Sequence, residues 1–334
     1  MPDKAFSPAT GRSNAGLHRF AVLTAGATFL LVIAGGLVTS TESGLSVPDW
    51  PTTYGYNMFT FPLSKWVGGI RFEHSHRLIA SVVGMLTIVL AFWIQIREPR
   101  RWVKTLGWSA LGAVVAQGVL GGLTVLLLLP PAISVAHACL AQTYFCLVVT
   151  LAIVTSPRWK DRAPRSFAAA FAANPVARAA AVTAGLVYLQ LLVGAIMRHI
   201  NAGLAIPDFP LAFGRLVPPL DRFPVAIHFA HRVNALAIAV AVGFLVVRAR
   251  RSHRPGLVRG AAGLAVLVAL QIGLGAATVL SRKDVLVATA HVAGGALTLG
   301  AALAFGISSL ALETRRGNVI PIRPSLSGRA AGWR

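Results

Sequence analysis

A chain of 334 residues with 55% hydrophobic and only 12% charged side chains, at a mean hydropathy of +0.69, is not a water-soluble domain, which would carry about twice that charged fraction. Its net charge of +21 invites a nucleic-acid reading, but 22 of the 31 Lys and Arg fall in 1–19, 97–104, 156–178, 248–259 and 313–334. Those five segments share one side if the apolar runs cross a membrane, so the charge follows the positive-inside rule, both termini are expected in the cytoplasm or its topological equivalent, and no nucleic-acid partner is implied.

Eight apolar runs of spanning length follow in chain order: 20–38, 76–96, 105–129, 134–155, 179–197, 226–247, 260–280 and 286–311. A cytoplasmic tail, 1–19, precedes the first. That first run is too long for a signal peptide, and its counterpart 179–197 sits mid-chain, so it reads as a retained helix. The connection 39–72 carries GLSVPDWPTTYG, and 198–224 carries GLAIPDFPLAFG; Pro48, Pro51, Pro207 and Pro210 forbid regular helix there, and each connection is expected to fold as a lid over its bundle. Trp50, Tyr54, Tyr56, Phe209 and Phe213 suit a membrane interface. Cys139 and Cys146, two turns apart on one predicted helix, cannot pair with each other and read as small core residues.

The loop motif is half of a longer repeat. Each copy is followed by a His-Arg pair, His76-Arg77 and His231-Arg232. Each is followed further on by a second histidine, His137 and His291, behind QGVLGGLTV and QIGLGAATV. The fold expected is therefore an all-α membrane protein: two duplicated four-helix bundles, 20–155 and 179–312, related by a pseudo-two-fold axis along the membrane normal. A basic linker, 156–178, joins them, and a basic tail, 313–334, follows.

In such a bundle the second and fourth helices face each other across the core. His76 and His137 in one half, and His231 and His291 in the other, can then ligate an iron from opposite sides, most simply that of a heme. Zinc or non-heme iron is the rival metal, but it wants three or four close ligands, and the second half offers no suitable carboxylate in its spans. A lone membrane histidine is often only an interhelical hydrogen bonder; two pairs in register through a duplication argue against that reading.

The halves differ in one telling place. Glu73-His74-Ser75-His76 in the first corresponds to His228-Phe229-Ala230-His231 in the second. Glu73 shares a helix face with His76, where it is either a proton donor and acceptor beside a reactive group or one side of a salt bridge to Arg71 or Arg77. Arg77 and Arg232 read equally well as propionate contacts and as headgroup anchors.

These motifs together resemble the heme A synthase family: the GGLVTSTESGLSVPDWP loop, Glu73-x-x-His76-Arg77, VAHACLAQ around His137, HFAHRVNAL around His231 and ATAHVAGG around His291. The likeness runs from about residue 17 to 312. It implies oxidation of the C8 methyl of heme O to a formyl group by two successive hydroxylations, for terminal oxidase biogenesis. It implies heme b on His231 and His291, the substrate heme O near His76 and His137, and Glu73 as the essential acidic residue. The partners that go with it are the lipid bilayer, the substrate, a heme O synthase and an electron donor; a homo-oligomer is compatible. Some branches carry a cysteine pair in the outer loops; 39–72 and 198–224 contain none, so the chain resembles the cysteine-free branch. The N-terminal segment lacks the character of a presequence, which favours a bacterial plasma membrane over a mitochondrial one. Two other readings compete. A di-heme, bis-histidine electron carrier would have no need of Glu73. A repeat-built transporter would place its polar residues at the midplane, whereas here they cluster toward one face.

Overall fold

The computed structural model describes residues 15–161, 163, 164 and 166–313, without the side chains of 312 and 313. Most of the expected tails, 1–14 and 314–334, and Arg162 and Arg165 of the linker lie outside the described residues. The described chain is helical, with two isolated β-bridges and no strand. Its helices are α1 (Ala15–Ser40), α2 (Ile70–Arg97), α3 (Arg101–Leu126), α4 (Pro131–Val154), α5 (Pro157–Lys160), α6 (Phe167–Ala173), α7 (Pro175–His199), α8 (Phe223–Arg251), α9 (Pro255–Leu280) and α10 (Val285–Glu313). All but α5 and α6 are long and apolar enough to cross a membrane. The shortest of these eight, α4 with 24 residues, extends about 36 Å, against a hydrocarbon core of about 30 Å. They expose Leu30, Ile96, Val115, Leu236, Val240 and Leu270, side chains that suit lipid and not water.

Helix ends follow local chemistry. Proline opens α4, α5, α7 and α9, where its missing N–H has no partner to lose. Asn174 caps α7 by accepting from Ala177 N, and its amide donates to Ser309 O on α10. Asp284 accepts from Leu286 N and Val287 N at the start of α10. Threonines inside the apolar helices, such as Thr28, Thr87 and Thr183, return their hydroxyls to the carbonyl one turn back, so burial leaves no donor stranded. Every spanning helix starts ahead of its apolar run, and α2 is extended the most. The second and sixth spans, expected from 76 and 226, begin at Ile70 and Phe223. Two of the polar residues that end the hydropathy run at α2, Glu73 and His74, stand on helix with partners in the overlying loop, Val47 N and Thr53 Oγ1.

Within the first half α1 packs on α2, α2 on α3, α3 on α4 and α4 back on α1; α7 to α10 close the same ring. This puts α2 diagonal to α4 and α8 diagonal to α10. The halves meet through α1–α10, α4–α7 and α4–α10. Exchanging the halves turns the first of these contacts into the second and leaves the third unchanged. Small residues bring the helices close: Gly107 rests on Ile94, Gly260 on the Phe305 ring, and Gly300 on Phe145 across the seam.

The packed apolar core of each half lies toward the face that carries the chain termini. Leu17, Leu90, Ile94, Tyr144, Val148 and Leu151 build one core; Leu245, Ala249, Leu257, Ala261 and Leu264 belong to the other. The opposite ends, beneath the long loops, hold the histidines. At the terminus face a buried carboxylate ties the turns together. Glu98 is 1% exposed, pairs with Arg100 at 2.7 Å and Lys160 at 3.4 Å, and Arg100 also reaches Val154 O at 2.7 Å.

Burial alone would raise the Glu98 carboxyl, but hydrogen bonds from Arg100 and the charges of Arg100 and Lys160 hold it below the usual 4.5. Its contribution to stability is therefore complete above that value and lost as pH falls through the lower folded value. Glu98→Gln should cost about 2–3 kcal/mol, less than for a fully enclosed pair. Thermal unfolding in detergent should show the deficit at pH 7 and a shrinking gap toward pH 3; an unchanged midpoint at pH 7 would show that the cluster does not hold the face together.

Candidate functional site

Each long loop is built around one aspartate. Asp49 accepts from Tyr54 N at 2.7 Å and Gly55 N at 2.9 Å; Asp208 accepts from Phe213 N at 2.8 Å and Gly214 N at 2.9 Å. The chain turns through positive φ at Tyr54, Gly55, Phe213 and Gly214, and closes with the bridges Thr53–Tyr56 and Ala212–Arg215. Burial would raise Asp49, but hydrogen bonds from Gly55, Thr52 and Tyr54 overcome it and hold the carboxyl low; bonds from Gly214 and Phe213 hold Asp208 low. This is the physical content of the Pro-Asp-aromatic-Pro…Gly motif: an ionised aspartate gathering two amides across a tight turn.

The loops are latched to the bundles by the arginines of the His-Arg pairs. Arg77 Nη1 donates to Asp49 O at 2.7 Å and Thr52 O at 3.0 Å, and Nη2 donates to Val47 O at 2.7 Å. Arg232 repeats the pattern, with Nη1 to Leu211 O at 2.9 Å and Nη2 to Ile206 O at 3.2 Å and Asp208 O at 2.7 Å. The sequence offered propionates or headgroups as partners for these arginines. In the structure both guanidinium groups donate to loop carbonyls, a partnership that needs the folded loop to be seen.

Glu73 completes the first latch. It is 3% exposed, with Oε1 2.6 Å from Arg77 Nη2 and Oε2 accepting from Val47 N at 2.8 Å. Of the two salt bridges expected from sequence, it is the Arg77 one that forms. In the second half His228 takes the same post, its Nδ1 3.3 Å from Ile206 N. His74 is buried against the loop, its Nδ1 3.2 Å from Thr53 Oγ1 and its ring beside Phe61 and Trp66. Trp50 lies over Gly122 of α3, where a β-carbon would come within 2.5 Å of the indole ring.

Beneath the loops stand the four histidines. His76 on α2 and His137 on α4 stand on the diagonal helices of the first half. His231 (α8) and His291 (α10) have ring centres 6.3 Å apart, with planes crossed at 72°. An ion bound between two opposed imidazoles at about 2 Å per bond would hold the ring centres roughly 6 Å apart, so this pair fits axial ligation. In all four rings Nδ1 is buried without a hydrogen-bond partner, an expensive state that a ligand site explains. Among the described residues no three His, Cys, Asp or Glu side chains group as a metal set, so each site offers imidazole pairs.

Sequence reading missed what backs the rings. His76 lies on Gly35, His137 on Gly121, His231 on Gly194 and His291 on Gly275, each glycine on the preceding helix, and a β-carbon at any of them would come within 3.1–3.2 Å of the ring. The signal was available: the four glycines stand at corresponding positions of the repeat. Also missed was an amide clamp confined to the second half. Gln190 Nε2 donates to His231 O at 3.0 Å, and Asn234 Nδ2 donates to Gln190 Oε1 at 2.8 Å. The corresponding first-half residues are Leu31 and Ile79. The second histidine of the first half has a partner in Gln117, whose Nε2 donates to His137 O at 3.0 Å.

The sequence profile of the COX15-CtaA family, described as cytochrome oxidase assembly protein, matches residues 18–67 and 56–303. A heme A synthase of Symbiobacterium thermophilum is 33% identical over 272 residues, covering 78% of this chain and 85% of the relative. One from Halalkalibacterium halodurans is 30% identical over 82% of this chain and 92% of its own length. One from Rhodospirillum centenum is 31% identical over 90% and 91% respectively.

Arg77→Met should release the first loop while leaving Glu73 an unpaired buried carboxylate, at a cost of about 3–5 kcal/mol. Amide exchange at Val47, Thr53 and Tyr54 should rise about tenfold or more, with Ile206, Phe213 and Gly214 unchanged. Arg232→Met should give the mirror result. Unchanged protection in the loop under either variant would show that the arginines do not latch it.

Proposed function

We propose that this chain, which belongs to the COX15-CtaA family of cytochrome oxidase assembly proteins, carries out heme A synthesis: it oxidises the C8 methyl of heme O to a formyl group. Two successive hydroxylations, each consuming dioxygen, electrons and protons, give a gem-diol that loses water. The relatives' shared name and the fit of two buried imidazole pairs support this reading.

In this reading the halves divide the work, and they are related by a pseudo-two-fold axis along the membrane normal. The second half holds heme b on His231 and His291, with Gln190 and Asn234 fixing the carbonyl of the His231 turn. A heme held there by His231 and His291 would supply one-electron redox chemistry. The first half takes heme O at His76 and His137 and lacks that clamp, which suits a group that must enter and leave. The observation that carries the proposal is the exchange at one loop contact: Val47 N meets the Glu73 carboxylate, whereas Ile206 N meets the His228 imidazole. Only the substrate half has an acid there.

Glu73 is suited to move a proton at the substrate. Its two oxygens are held by Arg77 of the same helix and by Val47 N of the loop, so protonation weakens one direct contact with the loop and the ion pair to the arginine that latches it, and proton uptake is linked to loosening of the lid. The termini face the cytoplasm by the positive-inside rule, which places the histidine ends and the loops on the other side of a bacterial plasma membrane.

Glu73→Gln keeps an acceptor for Val47 N and removes the acid. In a membrane that makes heme O, this variant should form heme A and its hydroxylated precursor at least about a hundredfold more slowly while heme B stays bound. Extracted porphyrins identified by mass give both numbers. Normal heme A output from the variant would contradict the role of Glu73, and two heme B per chain with no product would point to an electron carrier.

A further inference from the structure

A cation stands at the seam between the two sites without a countercharge. Arg198, in the last turn of α7, donates from Nη2 to Gly36 O at 3.0 Å and to Ser40 Oγ at 2.8 Å, both on α1 of the other half. Ser40 Oγ also accepts from Thr289 Oγ1 at 3.0 Å, and Gly36 packs on Val292 and Thr289, the residues that flank His291 on α10. The guanidinium therefore sits beside the helical turn that presents His291 and within electrostatic reach of that ring, while its neighbour His199 is within reach of His137.

Arg77 and Arg100 each have a carboxylate. Among the described residues none lies within ion-pair distance of Arg198, whose partners are two neutral oxygens. A partly buried charge at the end of a membrane helix is costly unless something pairs with it. Only Nη2 is committed, and a guanidinium fork with donors to spare matches a planar carboxylate. The first half has Thr39 at the corresponding position, so the cation belongs to the half that carries the amide clamp.

We propose that Arg198 is an anion site that takes a carboxylate side chain of the porphyrin held by His231 and His291. The proposal rests on the heme reading above and assigns the anchoring charge to a residue outside the repeated His-Arg motif, whose guanidinium groups are already engaged by the loops.

The test compares hemin with hemin dimethyl ester, which keeps the ring and the iron but has no carboxylate. Full-length protein from heme-depleted membranes is titrated with each, following the low-spin absorption of the bis-imidazole complex. The wild type should bind hemin about tenfold or more tightly than the ester. Arg198→Gln should bring the two affinities together by weakening hemin alone, and Arg198→Lys should retain part of the preference. The ester complex reports whether each variant is folded. Equal binding of the two porphyrins by the wild type, or an undiminished preference in Arg198→Gln, would overturn the proposal and leave the heme reading standing. Failure of the wild type to bind either porphyrin would overturn the heme reading, and the proposal with it.

Discussion

Irregular backbone packed against a membrane bundle must find hydrogen-bond partners, because an unpaired buried carbonyl costs about 1–3 kcal/mol. One arginine per half meets that need here. Arg77 gathers three carbonyls of the first loop and Arg232 three of the second, each from the opening turns of its helix. Much else depends on these contacts. They close the loops over the histidine ends of the bundles, and in the first half they hold Glu73 against the loop amide at Val47.

The halves share a scaffold although most matched side chains have diverged, and two of the differences bear on the proposed division of work. An acid in one half is an imidazole in the other, at the same backbone amide. Leucine and isoleucine in one half are replaced by a glutamine and an asparagine that fix His231 in the other. In the proposed reading the first difference supplies a proton carrier and the second fixes the His231 turn. A site that binds, transforms and releases a porphyrin gains from the former, and a site that holds one permanently gains from the latter.

Much of this was legible in the sequence, and the reasons for the rest are specific. The eight spans were readable because a membrane helix must be apolar all round over a fixed length. The histidines were readable because the repeat marked them twice. The start of α2 was not, since Glu73 and His74 look like loop until the loop that pairs with them is folded. The arginine latch was hidden for the same reason: its acceptors are carbonyls, which every residue has, and only tertiary structure selects which ones. The glycine cradles could have been found from the repeat, but a glycine in an apolar helix also reads as ordinary helix packing. Arg198 lies outside the repeated motif, and its lack of a carboxylate partner among the described residues is a property of three helices from two halves.

The central claim is that the two imidazole pairs hold different porphyrins for different ends. It is tested most directly by removing one histidine from each half and identifying by mass what remains bound in protein purified from a heme O-producing membrane. The account predicts that His291→Ala loses heme B and keeps a heme O-derived porphyrin. His137→Ala should do the reverse, keeping heme B and losing heme O and its oxidation products. Loss of heme B from both variants alike, or heme B in both sites of the parent protein, would contradict it.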